Sequence, residues 1–257
     1  MSWTQSDFTL TCTVSGTDHA ISVTTPFRYD SLNEVPLIVC LDGAWTAGTV
    51  RDATRIMSMS GEAPEAIVVS VSFTDDKMSD YLRSRAQWFS PTPWVPPEIT
   101  GVKGVKAEDT GHALIYLAFV RDQLLRRLVA DYRVSERWLV GHSFSGLFGL
   151  RTLFADPTLF DKYLLASPSI WWDDRAILAI EAESALGDVS AKLFMTAGAE
   201  EDSLGGEFNM CGNVIELAKI LNDRRYPNLE LSHAMLPTDS HSSTIGAAIS
   251  RGLRYLQ

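Results

Sequence analysis

Arg137-Trp138-Leu139-Val140-Gly141-His142-Ser143-Phe144-Ser145-Gly146-Leu147-Phe148-Gly149-Leu150 decides the fold. Residues 137–140 have strand character, and residues 147–150 open a segment with helical spacing. Small residues, Gly141 and Ser145, stand two positions to either side of Ser143. A serine between a strand and a helix, with small neighbours, sits on a sharp strained turn and projects its hydroxyl at the C-terminal edge of a sheet. The helix that follows offers its first backbone N–H groups to an anion at that edge. The plainer reading is a serine N-cap on an ordinary helix. The strand in front and the crowding of small residues argue against it.

The chain on either side repeats this alternation. Continuous apolar runs at residues 37–41, 66–71, 162–166 and 192–197 suit strands covered on both faces, and residues 229–235 fit a last strand. Helical spacing marks residues 110–132, 147–154, 173–184, 208–221 and 243–256. Strands alternating with helices predict βαβ units, a parallel sheet and helices on both faces. Residues 8–14 and 20–25 flank Gly16-Thr17-Asp18 and predict an antiparallel hairpin at the start.

The 257 residues carry 22 Lys plus Arg against 32 Asp plus Glu, a net charge of −10. That balance argues against a nucleic-acid or anionic-membrane partner, both of which need basic surface. With 46% hydrophobic and 21% charged residues, residues 1–257 read as a single domain with an ordinary core. Cys12, Cys40 and Cys211 form no C-x-x-C or Cys/His cluster, so neither a zinc site nor a disulfide framework is expected. Residues 1–7 show no basic and apolar leader pattern, and no apolar stretch approaches the ~20 residues of a membrane span. The expectation is a soluble, cytoplasmic protein. Residues 75–109 break the pattern, with Pro91, Pro93, Pro96 and Pro97 among Trp88, Phe89 and Trp94. A long proline-rich connection of this kind is a candidate lid or substrate loop.

A serine hydroxyl is a poor nucleophile until a base takes its proton. On an α/β-hydrolase sheet the partners follow in the order serine, acid, histidine. Two of the five histidines lie beyond Ser143. His233 falls inside the last strand pattern, whereas His241 lies just after it and before the C-terminal helix, so His241 is the candidate base. The acid is sought after the strand at residues 192–197, in Gly198-Ala199-Glu200-Glu201-Asp202. Glu201 is preferred, with Glu200 and Asp202 as alternatives and Asp239 as a further one. Stabilising the oxyanion takes two N–H groups: that of Phe144, and one from Leu41-Asp42-Gly43-Ala44-Trp45, assigned to Ala44 or its neighbour. Trp45, His142, Trp171, Trp172, Trp88 and Trp94 are candidate pocket walls, although any one tryptophan can equally be core. No metal or organic cofactor is implied.

Together these residues resemble the putative esterase family of α/β-hydrolases (esterase D and siderophore esterase-like), which includes enterobactin-type siderophore esterases, S-formylglutathione hydrolase and mycolyltransferases. The resemblance runs over roughly residues 8–257. It rests on residues 141–148, on Ala166-Ser167-Pro168-Ser169-Ile170-Trp171-Trp172, on Leu41-Asp42-Gly43-Ala44-Trp45, on Gly198 with Glu201, and on Leu236-Pro237 with His241 and residues 250–256. Ser145 stands where the family usually has a second glycine, and Arg83, Arg85 and Ser90-Pro91-Thr92 match its arginine-rich segment loosely. The resemblance implies an α/β-hydrolase fold. It also implies a serine esterase acting on a small-molecule ester, lactone or thioester through an acyl-enzyme. Acyl transfer on the same scaffold and a non-catalytic binding protein are the alternatives.

Overall fold

The computed structural model describes residues 3–27, 29–184, 186–203 and 208–257. Among them, eight strands form one sheet: β1 (Thr4–Thr11), β2 (Asp18–Thr25), β3 (Val35–Leu41), β4 (Ile67–Phe73), β5 (Val134–His142), β6 (Lys162–Ala166), β7 (Ser190–Gly198) and β8 (Asn228–Leu236). Their order is β1-β2-β4-β3-β5-β6-β7-β8. Strand β2 runs antiparallel to β1 and to β4, which confirms the opening hairpin, and the remaining pairs are parallel. This is the α/β-hydrolase arrangement.

The continuous apolar runs have the expected cause. Along β3, Leu37, Val39 and Leu41 join one core cluster while Ile38 and Cys40 join the other. Side chains alternate across a strand, so a strand buried on both faces needs no polar positions. The second cluster is closed by α1 (Gly43–Met59) and, at the C-terminus, by a helix over Thr244–Leu256. The first lies under α2 (Met78–Phe89), α3 (Ala113–Phe119), α4 (Arg126–Asp131), α5 (Phe144–Ala155), α6 (Trp172–Glu183) and α8 (Met210–Arg224). The short α7 (Ala199–Ser203) follows β7, and the C-terminal helix is α9.

Two expectations are corrected, and one helix stands where none was expected. Residues 75–109 are not irregular throughout, because α2 occupies 78–89. Tyr81, Arg85, Ala86, Trp88 and Phe89 are its buried residues, and a buried arginine among polar neighbours hides the helical stripe. The helix α1 was not expected. Its buried stripe is Gly43, Thr46, Ala47, Val50 and Thr54, too small and polar to stand out. The helix expected over 110–132 begins at Ala113 and widens into a π-helical segment at Val120–Leu125. Thr110 serves the preceding loop instead, its hydroxyl donating to Trp94 O and accepting from Trp94 N at 2.8 Å each.

Register decides where the chemistry collects. His142 pairs with Ala166, Ala166 with Thr196 and Gly198 with Leu236. The segments that follow β5, β6, β7 and β8 therefore leave the sheet at one edge. Among the described residues no helix is long and apolar enough to cross a membrane.

Candidate active site

Ser143 is the residue between β5 and α5, with φ 61° and ψ −118°. Such a conformation costs a non-glycine residue about 1–3 kcal/mol and persists only where its surroundings enforce it. A Cβ on Gly141 would lie 2.4 Å from Ser145 O, so the turn closes only with glycine there. Ser143 Oγ lies 3.3 Å from Ser169 Oγ. Phe144, the first residue of α5, carries one of the amides that lack an intrahelical acceptor.

His241 and Glu201 meet across the sheet edge. His241 Nδ1 and Glu201 Oε2 are 2.6 Å apart, with the Glu201 side chain 2% exposed and His241 45%. Glu201 Oε1 accepts from Gly198 N at 2.6 Å and from Ser167 Oγ at 2.7 Å. Burial by itself would raise the Glu201 carboxyl. The bonds from His241 and Ser167, the charge of His241 and the Gly198 amide outweigh it and hold the carboxyl below its ordinary value. The neighbouring acids do other work. Asp202 accepts the amides of Met210 and Cys211 at 2.6 and 3.1 Å, at the start of α8. Asp239 Oδ1 accepts from Ser243 Oγ at 2.8 Å. His233 lies within β8.

The backbone of His241 is clamped as well. Its carbonyl accepts from His142 Nε2 at 2.7 Å and from Thr244 Oγ1 at 2.8 Å. Burial, then the charges of His241 and Arg85, push His142 down to about 3, against the raising effect of its bond to the His241 carbonyl. His142 is thus a neutral donor at working pH.

Ser143, His142, Phe144, Ser169, Glu201 and His241 open onto one cavity of about 720 Å³. Trp45, Leu82, Ile99, Trp171, Phe208 and Ile245 give it apolar walls. Arg85 also reaches it, but its Nε lies 2.9 Å from Asp42 Oδ1, with both side chains buried.

Of the expected wall residues, Trp45, His142 and Trp171 line the cavity. Trp88, Trp94 and Trp172 do not. Trp88 is 7% exposed and packs on His112 at 5.4 Å. Trp172 is fully buried, donates Nε1 to Thr92 O at 3.2 Å and meets Trp94 at 5.2 Å. These rings fasten the proline-rich connection to the body of the protein. Segment 75–109 reaches the cavity through Leu82, Arg85, Ile99 and Thr100 instead. The expectation for Ala44 is also corrected: its amide donates to Ser72 Oγ at 2.8 Å and is not free for an oxyanion. Sequence reasoning did not assign Arg85, Ser167, Ser169 or Thr244 a place in the site. The signals available were the loose arginine-rich match for Arg85 and the quoted segment that holds Ser167 and Ser169.

A tryptophan pair therefore separates packing from specificity. Trp172→Ala is expected to cost about 3–5 kcal/mol of stability, as removal of a buried ring does, and to preserve the ranking of substrates. Trp171→Ala is expected to change that ranking with a small effect on stability. Melting curves and a panel of esters of different acyl size check both.

The Esterase family model, described as "Putative esterase", matches residues 13–224. The siderophore triacetylfusarinine C esterase of Aspergillus fumigatus is 25% identical over 273 residues, 93% of this chain and 88% of that protein. The siderophore enterobactin esterase of Emericella nidulans is 31% identical over 193 residues, 63% of this chain and 62% of that protein. The solved structure of siderophore hydrolase EstB from Aspergillus nidulans superposes with a TM-score of 0.81 at 26% identity, covering 98% of this chain and 95% of that one. These relatives are hydrolases, which does not favour acyl transfer or a non-catalytic binding role. The chain belongs to the Putative esterase family and is a carboxylic ester hydrolase of the serine class, built on the α/β-hydrolase fold.

Proposed function

We propose that Ser143, His241 and Glu201 are the catalytic triad of this esterase, and that its substrate is a small-molecule ester without net negative charge, of the siderophore kind named for its relatives. The observation that carries the triad is a serine held at φ 61° over a cavity it shares with His241, whose Nδ1 lies 2.6 Å from Glu201 Oε2.

Ser143 Oγ attacks the acyl carbon while His241 Nε2 takes its proton. The Phe144 amide stabilises the oxyanion. His241 then protonates the departing alcohol, and the Ser143 ester is the acyl-enzyme. Water repeats the sequence, with His241 again as base, and releases the acid. Glu201 fixes the tautomer of His241 and stabilises its imidazolium. The substrate class follows from the walls. They are mainly apolar and aromatic, and the guanidinium of Arg85 is already matched by Asp42. A polyanionic ester would find no unpaired positive charge among the described wall residues.

We further propose that residues 1–257 work as one unit in a reducing compartment, the cytoplasm. The free thiols of Cys12, Cys40 and Cys211 suit that setting.

A fluorophosphonate probe is expected to label Ser143, located by mass spectrometry of the adduct. The rate of labelling is expected to rise with pH as a single ionisation. His142, pushed down to about 3, and Glu201, held below its ordinary range, are both already in their working forms at neutral pH and add no step of their own there. A slope of one in the logarithm of the rate against pH supports the triad. An adduct elsewhere, or a slope of two, counts against it.

A further inference from the structure

Ser145 lies two residues after Ser143, at the start of α5, and the structure shows what its hydroxyl touches. Ser145 is fully buried. Its Oγ accepts the backbone N–H of His142 at 2.9 Å and donates to Asp42 Oδ2 at 2.7 Å. It therefore bridges the turn that carries Ser143, from one side to the other, and ties that turn to the segment after β3.

The Asp42 carboxylate is the centre of this arrangement. It is 1% exposed. Its Oδ1 accepts from Arg85 Nε at 2.9 Å and from Tyr81 Oη at 3.2 Å, both on α2. Arg85 Nη2 reaches back to the elbow and donates to His142 O at 3.3 Å. Both backbone groups of His142 are thus bound, the N–H by Ser145 and the carbonyl by Arg85, with Ser145 Oγ also 2.9 Å from that carbonyl. The His142 ring in turn holds the carbonyl of His241. Asp42 itself sits at φ 50°, a left-handed conformation that aspartate tolerates better than most residues. A buried carboxylate needs partners on both oxygens, and here the partners are parts of the catalytic turn and of α2.

We propose that Asp42 is a positioning residue of this esterase, and that Ser145 is the clasp through which it holds the strained Ser143 turn. Without the clasp, the turn relaxes from the geometry that aims Ser143 Oγ and the Phe144 amide. Errors of about 1 Å in such groups lower the rate of the chemical step by orders of magnitude. Binding depends on the cavity walls and is little changed. The proposal rests on the reading that Ser143 is the nucleophile. It goes beyond that reading by giving roles to two residues that do not touch the substrate.

The experiment compares wild type, Ser145→Ala and Ser145→Gly on one small uncharged ester, with kcat and KM measured separately and melting curves recorded in parallel. The expected result is a fall in kcat of about tenfold or more with KM within about twofold, because the loss is confined to transition-state geometry. Tyr81→Phe, which removes one bond to Oδ1 and leaves the clasp intact, is expected to lose less kcat than either. A folded Ser145 variant with kcat within about twofold of wild type overturns the proposal. So does a loss carried by KM, and so does failure of both Ser145 variants to fold, which would make the hydroxyl structural only. The underlying reading is tested separately by covalent labelling of the wild-type protein at Ser143. Labelled wild type with unaffected Ser145 variants condemns the clasp alone.

Discussion

Ser143→Ala is expected to lower kcat about 10⁴- to 10⁶-fold, the range reached when the nucleophile of a serine triad is removed, and to leave the protein folded. The fold tolerates the change because, among the described residues, the hydrogen-bonding contact of Ser143 Oγ is a neighbouring hydroxyl, Ser169 Oγ, at 3.3 Å. The strain of the turn is unaltered, since alanine keeps the Cβ that makes φ 61° costly. Steady-state turnover of an uncharged ester gives the activity, and loss of the fluorophosphonate adduct assigns it to this residue. A variant with substantial turnover and an unchanged melting curve would place the nucleophile elsewhere.

His241→Ala is expected to be about as damaging, because the members of a triad act as a unit. Its side chain is the more exposed member of the Glu201 pair, so the cost falls on turnover rather than on the core. Glu201→Gln is expected to lose less activity than His241→Ala, and it carries a stability signature that can be read independently. The folded-state value of Glu201 lies below the ordinary carboxylate value. Its contribution is therefore present above that ordinary value, about 4.3, and is lost as pH falls through the depressed one. The difference in stability between wild type and Glu201→Gln should accordingly shrink as the solution is acidified below about pH 4. A difference that persists at low pH, or an active His241→Ala, would remove these residues from the roles proposed.

Neighbouring acids show why the sequence could rank candidates but not choose between them. Glu200, Glu201 and Asp202 fall in α7, where successive side chains point about 100° apart. Which one faces His241 depends on how α7 docks against the segment after β8. In the structure Glu201 faces His241, and Asp202 faces the amides that open α8. The tryptophans follow the same logic. Trp171 and Trp172 are adjacent in sequence, yet one lines the cavity and the other is wholly buried against Trp94. Adjacent residues diverge in this way because burial is a property of what packs on each side, not of the residue itself.

The sequence alone determined the strands, the opening hairpin and the sharp serine turn between β5 and α5, because each is written in a short span. Apolar runs such as residues 37–41 are continuous because both faces of the sheet are covered. The elbow needs its strand, its small residues and its helix within about a dozen positions. The tertiary structure decided what those spans leave open. It made a helix of residues 78–89, whose buried face includes an arginine that no periodicity would place there. It turned the aromatic residues of the proline-rich connection into fasteners and bound the Ala44 amide to Ser72. It also joined Asp42 to Arg85, 43 positions away, and to Ser145, 103 positions away. Pairings over such separations have no local pattern. They exist because a buried charge must find partners, and only the folded chain determines which side chains are within reach.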